Sequence, residues 1–208
     1  MTLHDRVAHY QTTFPDWPPP VVQAGRIYGI WLLGNDYRGS GYHGAYPPNY
    51  VRRVAALFPD ARADAQHTMH LFSGSLPKGD YLRVDLRDDV ECDLQCDAQV
   101  LSSQVPVASF DIIYADPPYT NEDADHYGNP MVSRGKVIAE CWKVLRPNGY
   151  LIWLDQVLPM YAKTHWSLDG VIGVVRSTNH RARLATILRK VVVTEEQQFS
   201  NALLGLKR

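Results

Sequence analysis

Asp116, Pro117, Pro118 and Tyr119 directly follow the run Phe110-Asp111-Ile112-Ile113-Tyr114-Ala115. The run is apolar and β-favouring, and two prolines, lacking an amide N–H, end any strand ladder behind it. The spacing therefore predicts a buried strand that stops at Asp116. Ligands of open α/β sheets sit beyond the carboxyl ends of such strands. The prolines keep the backbone extended, which fixes the Asp116 and Pro117 carbonyls and presents the Tyr119 ring as a flat wall. One carboxylate, one fixed carbonyl and one ring suit a planar amine. The two acceptors can take both amino hydrogens and draw the lone pair out of conjugation for attack, while the ring stacks on the heterocycle.

These residues need a frame, and the neighbouring patterns predict one. Residues 67–75, His67-Thr68-Met69-His70-Leu71-Phe72-Ser73-Gly74-Ser75, read as a first core strand and its turn, in which small residues let the backbone approach a ligand closely. A second strand is predicted over Tyr81–Leu86, ending near Asp85, the place where Rossmann-like folds set an acid on ribose hydroxyls. Only Leu76–Asp80 separate the two, too few for a crossover helix, so the helix is reduced to a turn or the strand order differs. A third strand ends at Asp97, and Asp88, Asp89 and Asp93 compete with Asp85 and Asp97 for any ligand role. Gly135–Leu145 has helical spacing and is stopped by Pro147-Asn148-Gly149, and Tyr150–Asp155 reads as another buried strand. Val171–Arg176 and Arg183–Arg189 form an antiparallel hairpin at the sheet edge.

Upstream, the glycine-rich run from Gly39 to Pro48 leads into a helix opening at Pro48 or Asn49 and ending at Phe58. Such a junction can place amides and a positive helix end against a carboxylate. The Pro-rich stretch Phe14–Pro20 reads as an extended surface arm, Arg26–Leu33 as a short strand, and Thr120–Arg134 as a polar loop over the substrate.

Asp116-Pro117-Pro118-Tyr119 resembles the catalytic motif of the class I S-adenosylmethionine-dependent amino-methyltransferases, which methylate exocyclic nitrogens of nucleobases. Lys143-Val144-Leu145-Arg146-Pro147-Asn148-Gly149-Tyr150 is similar to the helix-to-strand junction common in that superfamily. The resemblance implies a doubly wound, Rossmann-like methyltransferase sheet in an α/β fold, ending in an antiparallel hairpin. It implies an N-terminal extension over residues 1–60 that closes on the cofactor, a core over 61–192 and a tail over 193–208. The catalytic residues would be Asp116, Pro117, Pro118 and Tyr119. Those facing S-adenosylmethionine would be Tyr46 and Pro47 from the aromatic-small-aromatic-proline stretch, then Phe72, Ser73, Gly74, Ser75, Asp85, Asp97 and Asp116, with Asp97 at the cofactor's adenine. The implied target is adenine or cytosine in DNA. An RNA or small-molecule amino-methyltransferase is the alternative within enzymes, and a catalytically silent binding subunit the alternative outside them.

Arg176, His180, Arg181 and Arg183, with Arg189, Lys190, Lys163, His165 and Trp166 nearby in sequence, are candidates to grip phosphates. The formal net charge is −1, which does not by itself advertise a nucleic-acid partner. With 208 residues there is no separate stretch to read a target site, so recognition is short, relaxed or supplied by a protein partner. Cys92, Cys96 and Cys141 read as reduced thiols of a cytoplasmic protein, and Met1-Thr2-Leu3-His4-Asp5 lacks signal-peptide form. No membrane span is expected. Scattered histidines and an unpaired Cys92/Cys96 spacing predict no metal site.

Overall fold

The computed structural model describes residues 1–34, 46–126, 131–176 and 182–192. In chain order these form α1 (Leu3–Thr13), β1 (Val21–Gln23), β2 (Arg26–Leu33), α2 (Tyr50–Leu57), β3 (Thr68–Leu71), β4 (Leu82–Asp85), β5 (Leu94–Gln95), a 3-10 turn (Ala98–Ser103), β6 (Phe110–Ala115), α3 (Asn121–His126), α4 (Arg134–Val144), β7 (Leu145–Asp155), β8 (Trp166–Arg176) and β9 (Ala182–Lys190). All strands join one nine-stranded sheet ordered β1-β2-β8-β9-β7-β6-β3-β4-β5. Most pairings are parallel; β9 runs antiparallel to both β7 and β8, and β1 antiparallel to β2.

A mostly parallel sheet needs both faces covered, because its strands are apolar on both sides. One face carries α1 and α2, whose Tyr10, Tyr50, Val54 and Leu57 pack on Ile27, Trp31, Ile152, Ile172 and Ile187. The other carries α4 and the 3-10 turn, whose Leu101, Val137, Ile138 and Cys141 pack on Met69, Leu71, Val84, Leu151 and Trp153. The order of the strands reverses at the β3/β6 pair: β4 and β5 extend the sheet to one side of it and β7 to the other. Leu71 is register partner to Ala115 there, so the segments leaving β3 and β6 emerge side by side.

The structure corrects some of the expectations and bears out others, among them the strand over Arg26–Leu33 and the reduction of the crossover helix after β3 to a turn. The β8–β9 hairpin is not at the sheet edge: β2 pairs in parallel with β8, and β1 closes that side. Alternation in β2, with Ile27, Trp31 and Leu33 buried, makes it a sheet strand that buries a whole face against α1 and α2. Ahead of the Pro-rich arm lies a helix, α1, closed by a capping box in which the Thr2 hydroxyl accepts from the Asp5 N–H and the Thr2 N–H donates to Asp5 Oδ2 at 2.9 Å. The arm itself is pinned: Phe14 stacks on Trp17 at 4.8 Å, and the Arg53 guanidinium stands 3.8 Å from the Trp17 centroid. The stretch read as a polar loop contains α3, which escapes periodicity because Ala124 is its only apolar residue. The short link of residues 72–81 holds no helix, yet β3 and β4 remain parallel neighbours. No helix among the described residues is long and apolar enough to cross a membrane.

Candidate active site

Asp116 leaves the end of β6 half-buried, and Pro117 behind it is buried. The Tyr119 hydroxyl folds back and donates to Asp116 Oδ1. This happens because the two prolines turn the chain without a helix, bringing the ring over the carboxylate three residues upstream. Burial, then the charge of Asp116, holds the Tyr119 hydroxyl far above the usual phenol range, so it stays a donor.

Two arginines hold this loop. Arg134, the first residue of α4, donates through Nε to Asp155 Oδ2 at 2.7 Å and through Nη2 to the Tyr119 carbonyl at 2.9 Å. Asp155 is wholly buried at the end of β7 and also accepts from the Trp153 indole at 3.1 Å and the Gln156 amide at 2.7 Å. Arg183, at the start of β9, places its guanidinium 5.1 Å from the Tyr119 ring centroid.

A ring of aromatic side chains backs the carboxylate. Tyr46 stacks on Tyr50 at 5.7 Å, and its hydroxyl lies 3.2 Å from His70 Nδ1. His70, on β3, stacks on Tyr114 of β6 at 4.5 Å and meets the Tyr81 edge at 4.6 Å. Burial pushes the His70 imidazole down to about 3, so it is neutral. Burial first, and the Asp116 charge second, keep the Tyr46 and Tyr50 hydroxyls well above their ordinary range. The field of Asp116 thus reaches three rings, from α2, its approach segment and the loop after β6.

Beside this lies the turn after β3. Phe72 (φ 58°) and Gly74 (φ 49°) both adopt left-handed backbone. Side chains rarely take that conformation, which narrows the turn and brings its backbone against the end of β4, where the Ser73 N–H donates to the Val84 carbonyl at 3.1 Å. The Gly74 N–H donates to Asp85 Oδ2 at 2.8 Å, and the Arg87 N–H to Asp85 Oδ1 at 3.0 Å, so Asp85 ties the turn to the end of β4. Ser73 is buried and its hydroxyl has no partner, an unmet polar group of the kind a ligand satisfies. Ser75 is exposed. The turn therefore fits a polar cofactor lying across β3 and β4.

The structure brings Tyr46, Pro47, Phe72, Ser73, Gly74, Asp85, Asp116 and Tyr119 to one edge of the sheet. Pro47 is buried, and its carbonyl accepts from the Tyr50 N–H at 3.0 Å. Asp97 stands apart, beyond β5, where it caps the 3-10 turn through the Gln99 N–H at 2.8 Å. Among its competitors, Asp93 is bound to Arg83 and Asp89 to Arg87. Arg176 and Arg183 lie at the end of the hairpin beside Asp155, whereas Arg189, Lys190, His165 and Trp166 lie at the far end. That far group is occupied otherwise: Arg189 pairs with Asp169, Lys190 donates to the Leu145 carbonyl, and Trp166 is core. Arg189, Lys190 and Trp166 therefore stand apart from Arg176 and Arg183, and the grip expected of them is corrected for these three. His180, Arg181 and the glycine-rich run from Gly39 to Ala45 lie outside the described residues.

Arg134, Asp155, Tyr50, Tyr114 and His70 were not singled out from sequence. Tyr50 could have been, since it follows Tyr46 by four residues at a helix start. No local pattern marks Arg134 or Asp155. Among the described residues no group of three or more His, Cys, Asp or Glu is placed to hold a metal ion. Comparison with protein-family models finds no match, and comparison with curated proteins finds none either.

Proposed function

We propose that this protein is an S-adenosylmethionine-dependent amino-methyltransferase, built on a Rossmann-like methyltransferase sheet, that modifies an exocyclic amino group of adenine or cytosine in DNA. The observation that carries the reading is the juxtaposition at the β3/β6 switch point: the left-handed turn at Phe72–Gly74 and Asp116-Pro117-Pro118-Tyr119 leave adjacent parallel strands. The antiparallel β9 inserted between β7 and β8 further supports the methyltransferase form of the sheet.

In this reading Ser73, Gly74 and Asp85 hold the cofactor, with Tyr46 and Pro47 closing from the segment ahead of α2. The bound cofactor supplies an electrophilic methyl group on sulfonium sulfur. Asp116 and the Pro117 carbonyl would accept hydrogen bonds from the two amine hydrogens and so orient the nitrogen lone pair. The N–C bond would form as the sulfonium S–C bond breaks to leave a neutral thioether, and the proton lost by the amine would pass to Asp116 or solvent. Tyr119 stacks on the base, and the neutral Tyr46–His70 pair lines the site without adding charge. Holding nucleophile and methyl donor in line accounts for much of the acceleration. A base in duplex DNA must first be flipped out of its stack.

The test is methyl incorporation from labelled S-adenosylmethionine into DNA, RNA and free nucleotides in parallel, with nucleoside mass analysis. N-methyladenine or N-methylcytosine from DNA is expected. Label confined to RNA or nucleotides reassigns the substrate, and absence of both label and cofactor binding refutes the activity.

A further inference from the structure

Arg183 differs from the carboxylate-bound arginines of this fold, and two of its nitrogens rather than one are unpartnered. Arg6, Arg62, Arg83, Arg134 and Arg189 each meet a carboxylate within 3.0 Å. Arg183 Nε and Nη1 are buried and have no hydrogen-bond partner. A guanidinium is always charged and carries five donors, so withdrawing two of them from water without an acceptor is unfavourable. The Tyr119 ring 5.1 Å away offers only its π face. The Tyr50 hydroxyl, close enough to feel the Arg183 charge, is also buried and unpartnered. Register pairs Arg183 with Val174, one step from the Leu184–Asp155 pair at the end of β7, so these donors face the catalytic edge of the sheet.

Two groups of idle donors, one cationic, therefore border the ring on which the substrate base is to stack. Arg183 meanwhile covers part of that ring. We propose that Arg183 recognises the phosphate of the target nucleotide: the anion draws the guanidinium from Tyr119, satisfies its buried donors and uncovers the ring for the base. The site thereby selects phosphate-bearing nucleotide units over free bases and nucleosides. An anion suits the site better than a neutral acceptor, because two buried guanidinium donors have no acceptor and planar guanidinium donors match phosphate oxygens. This inference rests on the amino-methyltransferase reading only for the identity of the ring that faces Tyr119.

Calorimetric titration of inorganic phosphate, deoxyadenosine and deoxyadenosine 5′-monophosphate into the wild-type protein, Arg183→Gln and Arg183→Lys tests it. The wild type is expected to bind the monophosphate roughly ten- to a hundredfold more tightly than the nucleoside, the range of a charge-assisted hydrogen bond. Arg183→Gln should bring the two to near equality while leaving nucleoside affinity unchanged or improved. Arg183→Lys should recover part of the preference, since it keeps the charge without the planar fork. Gln at this place removes two buried donors that have no acceptor, so the variant is expected to fold, and thermal unfolding checks this. An undiminished monophosphate preference in Arg183→Gln overturns the proposal, as does phosphate binding that is equally tight without the nucleoside. Arg183-dependent nucleotide binding without methyl transfer to any substrate upholds this inference and removes the methyltransferase reading.

Discussion

Arg134 reaches the Tyr119 backbone: its Nη2 donates to the Tyr119 carbonyl at 2.9 Å while its Nε is anchored on Asp155 at 2.7 Å. The anchor is firm because Asp155 is wholly buried and also accepts from Trp153 and Gln156. The loop carrying the candidate catalytic residues is thus tied to the end of β7 through a single side chain. Replacement by methionine would leave a buried carboxylate without its counter-charge, at a cost of about 3 to 5 kcal/mol. Arg134→Lys keeps the charge and loses the second arm. Under the proposed activity it should lower kcat about ten- to a hundredfold, with cofactor affinity unchanged. Steady-state kinetics beside cofactor calorimetry checks the split; loss of cofactor binding in parallel would reveal a general structural defect instead.

Asp116→Ala should abolish methyl transfer and leave cofactor binding nearly intact, because the carboxylate serves the amine. Tyr119 separates into two functions. Tyr119→Phe removes the hydroxyl bond to Asp116 Oδ1 but keeps the ring, so turnover should persist. Tyr119→Ala removes the stacking surface, worth about 1 to 3 kcal/mol per base, and should raise KM accordingly. Equal losses in the phenylalanine and alanine variants would assign the function to the hydroxyl.

Asp85 accepts from both Gly74 and Arg87, so it shapes the cofactor turn whatever else it touches. Asp85→Ala should weaken S-adenosylmethionine binding by about 1 to 3 kcal/mol, while Asp85→Asn, which keeps one acceptor oxygen, should weaken it less. Calorimetry decides this, and an unchanged dissociation constant for Asp85→Ala would transfer the role to another residue.

His70 predicts a pH dependence of stability. Its folded-state value near 3 lies below the unfolded value near 6.5. Between these values the unfolded chain binds a proton that the folded one does not, so stability rises with pH, by up to about 1.4 kcal/mol per unit from this group. The native state is therefore least penalised above pH 6.5 and progressively destabilised on acidification toward pH 3. His70→Phe, which can still stack on Tyr114, should flatten the fall between pH 7 and 5 in urea titrations. Identical slopes in both proteins would show that other groups carry the acid sensitivity.

The sequence alone determined what depends on neighbouring residues. The strand Phe110–Ala115 was legible because β-favouring residues run unbroken into two prolines, and α4 because Val137, Ile138, Cys141 and Val144 repeat at helical spacing. The hairpin partners β8 and β9 and the turn after β3 were legible for the same local reason. Tertiary structure alone decided where these elements stand. Nothing local places β2 beside β8, although the Arg26 side chain meets the Leu168 carbonyl across 142 residues of chain. Nothing local shows that Arg189 and Lys190 turn away from the site that Arg183 enters, or that Arg134 reaches Tyr119. Periodicity and capping record the free energy of a short backbone segment, whereas strand order and side-chain partners are set by which distant apolar faces bury one another.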